Sequence, residues 1–174
     1  GRSGVVPNGA FIEYWPTLVD SKYIKELIHI DDKVIEVVPT NQLGLEEKYY
    51  QKVPYENPTL EIGEVREDFF GRIYGTRSGD KGGCANLGVW AKTEDAYSFL
   101  FDFLTVKKLK ELLPDLESFE IDRYELPNIF SLNFYVHGIL QEGVSSSTRM
   151  DGQAKSLGEY LRAKKINFPL QLLK

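Results

Sequence analysis

The sequence predicts an α+β sandwich, with a small antiparallel sheet and helices on one face. Segments with strand and helix signals follow one another in the order β-β-α-β-β-α over residues 68–174. The strand period of two is clearest at Phe130, Leu132, Phe134 and Val136. The chain has 174 residues, of which 42% are hydrophobic, which suits one folded domain with an appendage.

The predicted strands of this part cover residues 69–76, 87–92, 119–126 and 130–136. Thr93 is placed to begin a helix that runs to Leu104. Thr105 is placed to cap a second helix, which Pro114 ends. A last amphipathic helix is predicted from about residue 151 to residue 164, with Asp151 as its N-cap.

Residues 1–67 differ in composition from the rest of the chain. They hold 7 basic and 12 acidic residues, whereas residues 68–174 hold 14 of each, so a boundary is expected near Glu67. Five prolines break this part into short pieces, in which we expect a helix over 22–27, a strand over 33–38 and a helical turn over 43–52. We expect an acidic packing arm or the end of a larger domain.

Other features limit the class of protein. Cys84 is the single cysteine and only two histidines occur, so neither an internal disulfide nor a metal site is expected. Because no disulfide is expected, a cytoplasmic location is the simpler assumption. The net charge of −5 gives no reason to expect nucleic acid. No apolar run is long enough to span a membrane, and no signal peptide is recognisable. The start Gly-Arg-Ser-Gly indicates a tag remnant or a piece of a longer chain.

The most distinctive segment is residues 77–89, Arg-Ser-Gly-Asp-Lys-Gly-Gly-Cys-Ala-Asn-Leu-Gly-Val. Glycines allow a loop to point successive N–H groups at one anion, and Arg77 and Lys81 would add positive charge. We therefore predict a glycine-rich, anion-binding loop of about ten residues between two strands. The structural alternative is a decorated hairpin whose polar side chains satisfy their own turns.

Two further polar groups belong to the prediction. Arg149, Asp151 and Lys155 surround the start of the last helix, where Asp151 is more simply a helix cap than a ligand. We expect Arg149 and Asp151 to lie close to residues 77–86. Asn133 interrupts an apolar strand and must find a partner, so we expect it to brace the glycine-rich segment.

Five motifs follow one another along the chain: Arg-Ser-Gly-Asp-Lys-Gly at residue 77, Ala-Asn-Leu-Gly at residue 85, Leu-Pro-Asn at residue 126, Leu-Asn-Phe at residue 132 and Arg-Met-Asp-Gly-Gln-Ala-Lys at residue 149. In this order and spacing they resemble the small C-terminal domain of the acyclic terpene utilisation (AtuA-like) family. The resemblance covers about residues 69–169. It implies a ferredoxin-like α+β domain that accompanies a larger AtuA-like domain or subunit. Cys84 stands where a polar or acidic residue is expected in relatives.

The family is associated with the breakdown of acyclic terpene and branched-chain acids as acyl-CoA thioesters. The resemblance thus implies an acyl-CoA thioester as ligand and assembly into a homo- or hetero-oligomer; it names no cofactor, and catalysis is left open. The alternative is a non-catalytic assembly or regulatory module that docks a larger subunit. The candidate catalytic residues are Asp80 and Lys81. The candidate ligand-binding residues are Arg77, Ser78, Gly79, Gly82, Gly83, Asn86, Asn133, Arg149, Asp151 and Lys155.

Overall fold

The computed structural model describes residues 17–37 and 55–174. These belong to two compact units, one within residues 15–54 and the other including residues 55–174. The second unit is described from Tyr55 onward, and the boundary that composition predicts near Glu67 stays a prediction. Its strand Val65–Phe69 crosses that boundary, because backbone pairing does not depend on the local balance of charge.

In residues 17–37, the described part of the smaller unit, β1 (Glu26–Ile30) pairs with β2 (Lys33–Val37) as an antiparallel hairpin. The predicted strand over 33–38 is thus confirmed, whereas the predicted helix over 22–27 is wrong. Only a 3-10 turn, Ser21–Tyr23, forms there, in which the Asp20 carboxylate accepts a hydrogen bond from the Lys22 N–H at 3.0 Å. The strand β1 begins at Glu26. The helical turn predicted over 43–52 lies outside the described residues.

The larger unit contains six strands and three helices among the described residues. The strands are β3 (Val65–Phe69), β4 (Gly75–Lys81), β5 (Cys84–Trp90), β6 (Ile121–Leu126), β7 (Ser131–Val136) and β8 (Lys165–Pro169). The helices are α1 (Glu94–Phe103), α2 (Val106–Leu112) and α3 (Leu157–Arg162). A four-stranded antiparallel sheet has the order β4-β5-β7-β6, and β3 pairs separately with β8. The predicted α+β class is confirmed.

The central strands β5 and β7 explain how the sheet buries one face. Alternate side chains are fully buried, and the register places Leu87 opposite Phe134 and Val89 opposite Leu132. Buried residues of the helices, such as Leu100 and Leu109, belong to the same core. Burying each such side chain contributes about 1.5–3 kcal/mol, so this face is strongly specified. The residues between them form the opposite face, which we call the open face.

Side-chain caps fix the starts of the first two helices where the sequence places them. The Thr93 hydroxyl accepts a hydrogen bond from the Ala96 N–H at 3.3 Å, and the Thr105 hydroxyl accepts one from the Lys108 N–H at 3.1 Å. The predicted strand over 69–76 is wrong, however. The chain turns at residues 70–72, because Phe70 is fully buried and its N–H donates to the Lys164 carbonyl.

Tyr97 gives a pH-dependent prediction. Its hydroxyl is buried without a hydrogen-bond partner among the described residues, and burial raises the pKa of Tyr97 to about 12. The unfolded chain ionises this phenol near pH 10, where the folded chain still holds the proton, so stability is expected to fall as the pH rises from about 10 to 12. Denaturant melts of wild type and Tyr97→Phe across this range should show a smaller alkaline loss in the variant. Equal losses of stability in wild type and variant would show that ionisation of Tyr97 does not contribute to the alkaline loss.

Residues 1–67 expressed alone should show no cooperative melt. All but one of the side chains of β1 and β2 are exposed, so the hairpin has little core of its own, and β3 requires β8 as its pairing partner. Circular dichroism on heating and limited proteolysis measure this directly. A sharp thermal transition would show that the segment is an independent domain.

Candidate functional site

The segment predicted as a ten-residue loop is a tight hairpin, so that prediction is wrong. Residues 75–81 and 84–90 pair in continuous register as β4 and β5, and only Gly82 and Gly83 lie between them. Gly82 has a φ of 61°, which glycine adopts without strain. Glycine and aspartate are disfavoured in strands, so backbone pairing with the buried strand β5 overrides the local composition here.

The register sorts the candidate residues onto two faces of β4. Ser78 pairs with Leu87 and Asp80 with Ala85, so these two side chains lie on the face that the helices cover. Arg77 pairs with Gly88, which places Arg77, Gly79 and Lys81 on the open face. The two residues for which chemistry was predicted, Asp80 and Lys81, therefore leave the strand in opposite directions.

A groove of about 600 Å³ runs along β4. Among the residues described, β4 has no partner strand on its other side, which leaves its edge accessible. The groove is lined by Thr76, Arg77, Ser78, Gly79, Asp80, Lys81, Asn86, Gly88, Lys155, Gly158 and Glu159. Seven of these were predicted from the sequence: Arg77, Ser78, Gly79, Asp80, Lys81, Asn86 and Lys155.

Ser78 ties the strand to the start of α3. Its hydroxyl accepts a hydrogen bond from the Gly158 N–H at 2.9 Å and donates one to the Lys155 carbonyl at 3.2 Å. A Cβ atom on Gly158 would lie 2.9 Å from the Thr76 hydroxyl oxygen, so the close approach depends on glycine here. Both hydrogen-bonding functions of Ser78 are used within the fold, and its role is to fix Lys155 beside the groove.

The groove carries three cations and two carboxylates. Glu159 is paired with Arg162 at 3.1 Å. Among the described residues, the Lys81 ammonium donates only to the Asp80 backbone carbonyl, at 3.0 Å. Arg77 and Lys155 make no side-chain hydrogen bond or ion pair within the part of the chain that the structure describes. The unsatisfied charge along β4 is therefore mainly positive, in a chain whose net charge is −5.

Asn133 lies beside the hairpin, as expected for a brace. The Asn86 side-chain amide donates to the Asn133 side-chain oxygen at 3.4 Å, across β5 and β7. This long hydrogen bond keeps both amides on the open face. It leaves the Asn86 carbonyl oxygen without a partner among the described residues.

Five predicted residues do not line the groove: Gly82, Gly83, Asn133, Arg149 and Asp151. The two glycines form the turn at its end. The Asp151 carboxylate accepts the N–H groups of Lys155 at 2.9 Å and of Ser156 at 3.0 Å. That Arg149 and Asp151 lie close to residues 77–86 stays a prediction. The helix predicted from residue 151 begins at Leu157, because residues 151–156 form turns that this carboxylate holds.

Asp151→Ala should lower the free energy of unfolding by about 1 kcal/mol, because two backbone N–H groups lose their acceptor. Asp151→Asn keeps one acceptor oxygen and should lose less. Urea melts of both variants measure the difference. A loss in the alanine variant no larger than that in the asparagine variant would show that the carboxylate does not hold this turn.

A second polar cluster lies on the open face near the end of β7. His137 Nε2 lies 2.9 Å from an Asp122 carboxylate oxygen, and the Gly138 N–H donates to the Cys84 sulfur at 3.4 Å. The hydrogen bond with Cys84 raises the pKa of Tyr135, and burial adds to the effect. In the described ranges, no group of three or more His, Cys, Asp or Glu side chains is placed to hold a metal ion.

Four lining residues were missed by the sequence analysis: Thr76, Gly88, Gly158 and Glu159. Gly88 belongs to the Ala-Asn-Leu-Gly motif, and in a hairpin it lies opposite Arg77. Interpretation of this segment as a hairpin could therefore have revealed Gly88 as a groove residue. Gly158 and Glu159 reach the groove through the packing of α3 against β4, for which the local sequence holds no signal.

An antiparallel sheet with helices on one face and a polar groove at its edge defines a small α+β sandwich of the ferredoxin-like class. Residues 71–167 match the family model of the AtuA ferredoxin-like domain, which is more than half of the chain. The chain belongs to this family. No curated protein and no solved structure matches it. Within residues 17–37 and 55–174, no helix has the length and apolar character to cross a membrane.

Proposed function

We propose that this chain is a domain or subunit of a protein that breaks down acyclic terpene or branched-chain acids as acyl-CoA thioesters. In this proposal the groove along β4 binds the anionic part of the thioester. The observation that carries it is the convergence of Arg77, Lys81 and Lys155 on one groove. Membership of the AtuA family supports the pathway.

The charges of the groove favour an anion for a physical reason. An Arg guanidinium offers a planar fork of donors and a lysine offers a mobile point charge, so together they suit phosphate and carboxylate groups. Glu159 is already paired with Arg162, which reduces its repulsion of a ligand. A volume of about 600 Å³ is in the range of small-molecule sites.

Asp80 is the candidate proton acceptor of the site. Its carboxylate is part-buried beside the groove and makes no ion pair within the described residues, whereas Glu159 has Arg162. A general base must come within hydrogen-bond distance of the proton that it removes. Lys81 follows Asp80 in the strand, but its side chain leaves on the opposite face, where it is the candidate to bind the anionic part of the thioester.

Calorimetric titration of the full chain with CoA and with a branched-chain acyl-CoA tests this proposal. Saturable binding that weakens with added salt is expected, because the attraction is between exposed charges. Absence of binding by either compound would reject the proposal.

A second function is favoured by the β1–β2 hairpin. Ile28, Ile30, Ile35 and Val34 are each about half exposed, and a two-stranded ribbon is marginal without a partner. We infer from this an assembly module that docks a larger subunit. Sedimentation of the full chain and of its Ile28→Lys/Ile35→Lys variant with an AtuA-like large subunit tests it: a complex lost in the variant supports docking, and no complex with wild type rejects it.

A further inference from the structure

The groove holds no surface suited to an aromatic base or a hydrocarbon chain. None of the described residues that line it is aromatic or a large aliphatic residue. A purine gains its binding energy largely from stacking on a π face, and an acyl chain gains it from buried apolar area. Of the parts of an acyl-CoA, only the phosphates and the amide-bearing chain match such a lining.

Glycines leave a strip of open space on the floor of the groove. A Cβ atom on Gly79 would meet no atom within 4 Å, and one on Gly88 would meet only the Arg77 backbone carbonyl, at 3.6 Å. Both glycines lie on the open face, on neighbouring strands. The fold itself does not require glycine at position 79, since the space there would accept a side chain.

This strip is bordered by polar groups that suit a thin, phosphorylated chain containing amide groups. Arg77 and Lys81 lie on either side of Gly79 on the same face of β4, so each end of the strip has a cation that can bind a phosphate. The hydrogen bond to Asn133 holds the Asn86 amide in place, so its free carbonyl oxygen can accept an N–H from a ligand amide.

We propose that the groove binds the phosphopantetheine part of the thioester, in extended form over Gly79 and Gly88. The adenine nucleotide and the acyl chain then lie outside the groove. This inference rests on the proposed function and specifies which part of that ligand the site recognises.

The test titrates the full chain by calorimetry with CoA, with 4′-phosphopantetheine and with adenosine 3′,5′-bisphosphate. The phosphopantetheine is expected to bind within about tenfold of CoA, and the nucleotide at least about tenfold more weakly than phosphopantetheine. Gly79→Val should weaken phosphopantetheine binding at least about tenfold with an unchanged melting temperature, because the side chain fills the strip. Gly63→Val is the matched control, since a Cβ there also meets no atom within 4 Å and Gly63 is outside the groove.

The outcomes separate this inference from the function on which it rests. Equal affinity for the nucleotide, or wild-type affinity in the Gly79→Val variant, overturns the inference while CoA binding upholds the proposed function. Failure of all three compounds to bind overturns both.

Discussion

Gly83→Ala is expected to destabilise the folded chain by about 3 kcal/mol. A Cβ atom at this position would lie against the Gln141 backbone carbonyl oxygen, closer than real Cβ contacts come. The obstacle is backbone, so no side chain can rotate away from it. The Gly83 carbonyl also accepts the Leu140 N–H at 2.8 Å, which ties the turn to this segment. Relief of the clash must move either the hairpin turn at Gly83 or the turn that contains Gln141, which is the cost of overpacking.

Gly79→Ala is the matched control for this prediction, because it lies on the same hairpin with open space at its Cβ. Its stability should change by less than about 1 kcal/mol, in the direction of higher stability since alanine loses less backbone entropy than glycine on folding. Guanidinium melts of both variants give the comparison. Similar free energies of unfolding in the two variants would show that the turn does not pack on residues 138–143.

Lys81→Ala is expected to weaken binding of CoA and of a branched-chain acyl-CoA by roughly ten- to a hundredfold. A charged donor to an anion in a partly shielded site contributes about 1.5–3 kcal/mol. The folded state should lose no more than about 0.5 kcal/mol, because the exposed ammonium contacts only a neighbouring backbone carbonyl. Calorimetry and thermal melts of the same samples separate the two effects.

Lys92→Ala is the control for charge alone, since Lys92 is exposed and lies outside the groove. It should bind as wild type does. A loss of several kcal/mol of stability in Lys81→Ala would instead identify a structural brace, and the binding proposal should then be dropped. If wild type and variant melt alike and neither binds an acyl-CoA, the assembly module becomes the better description.

The α+β class could be predicted because its signals are local. Thr93 and Thr105 cap helices through hydroxyls that reach the N–H three residues ahead, and this geometry needs no other part of the chain. The alternation along β7 likewise reports one buried face directly. The order and spacing of the motifs from residue 77 to residue 155 indicated the family.

The hairpin was misread because composition and tertiary setting disagree. Glycine, serine and aspartate favour turns in isolation, yet β5 offers a complete backbone ladder to residues 75–81. The same limit applies to Asp151. The sequence predicted its carboxylate as the cap of the last helix, whereas the carboxylate caps a turn that precedes that helix.

By itself the sequence determined the α+β class, the starts of the first two helices, the family and most of the residues along β4, because these depend on short-range patterns and on residue identity. Only the tertiary structure decided which of those residues share a face. Pairing with β5 sends Arg77 and Lys81 to the open face and Ser78 to the helices. Packing of α3 then adds Lys155 and Gly158 from about eighty residues away. The groove is a product of strand register and helix packing, and neither is encoded in a local stretch of chain.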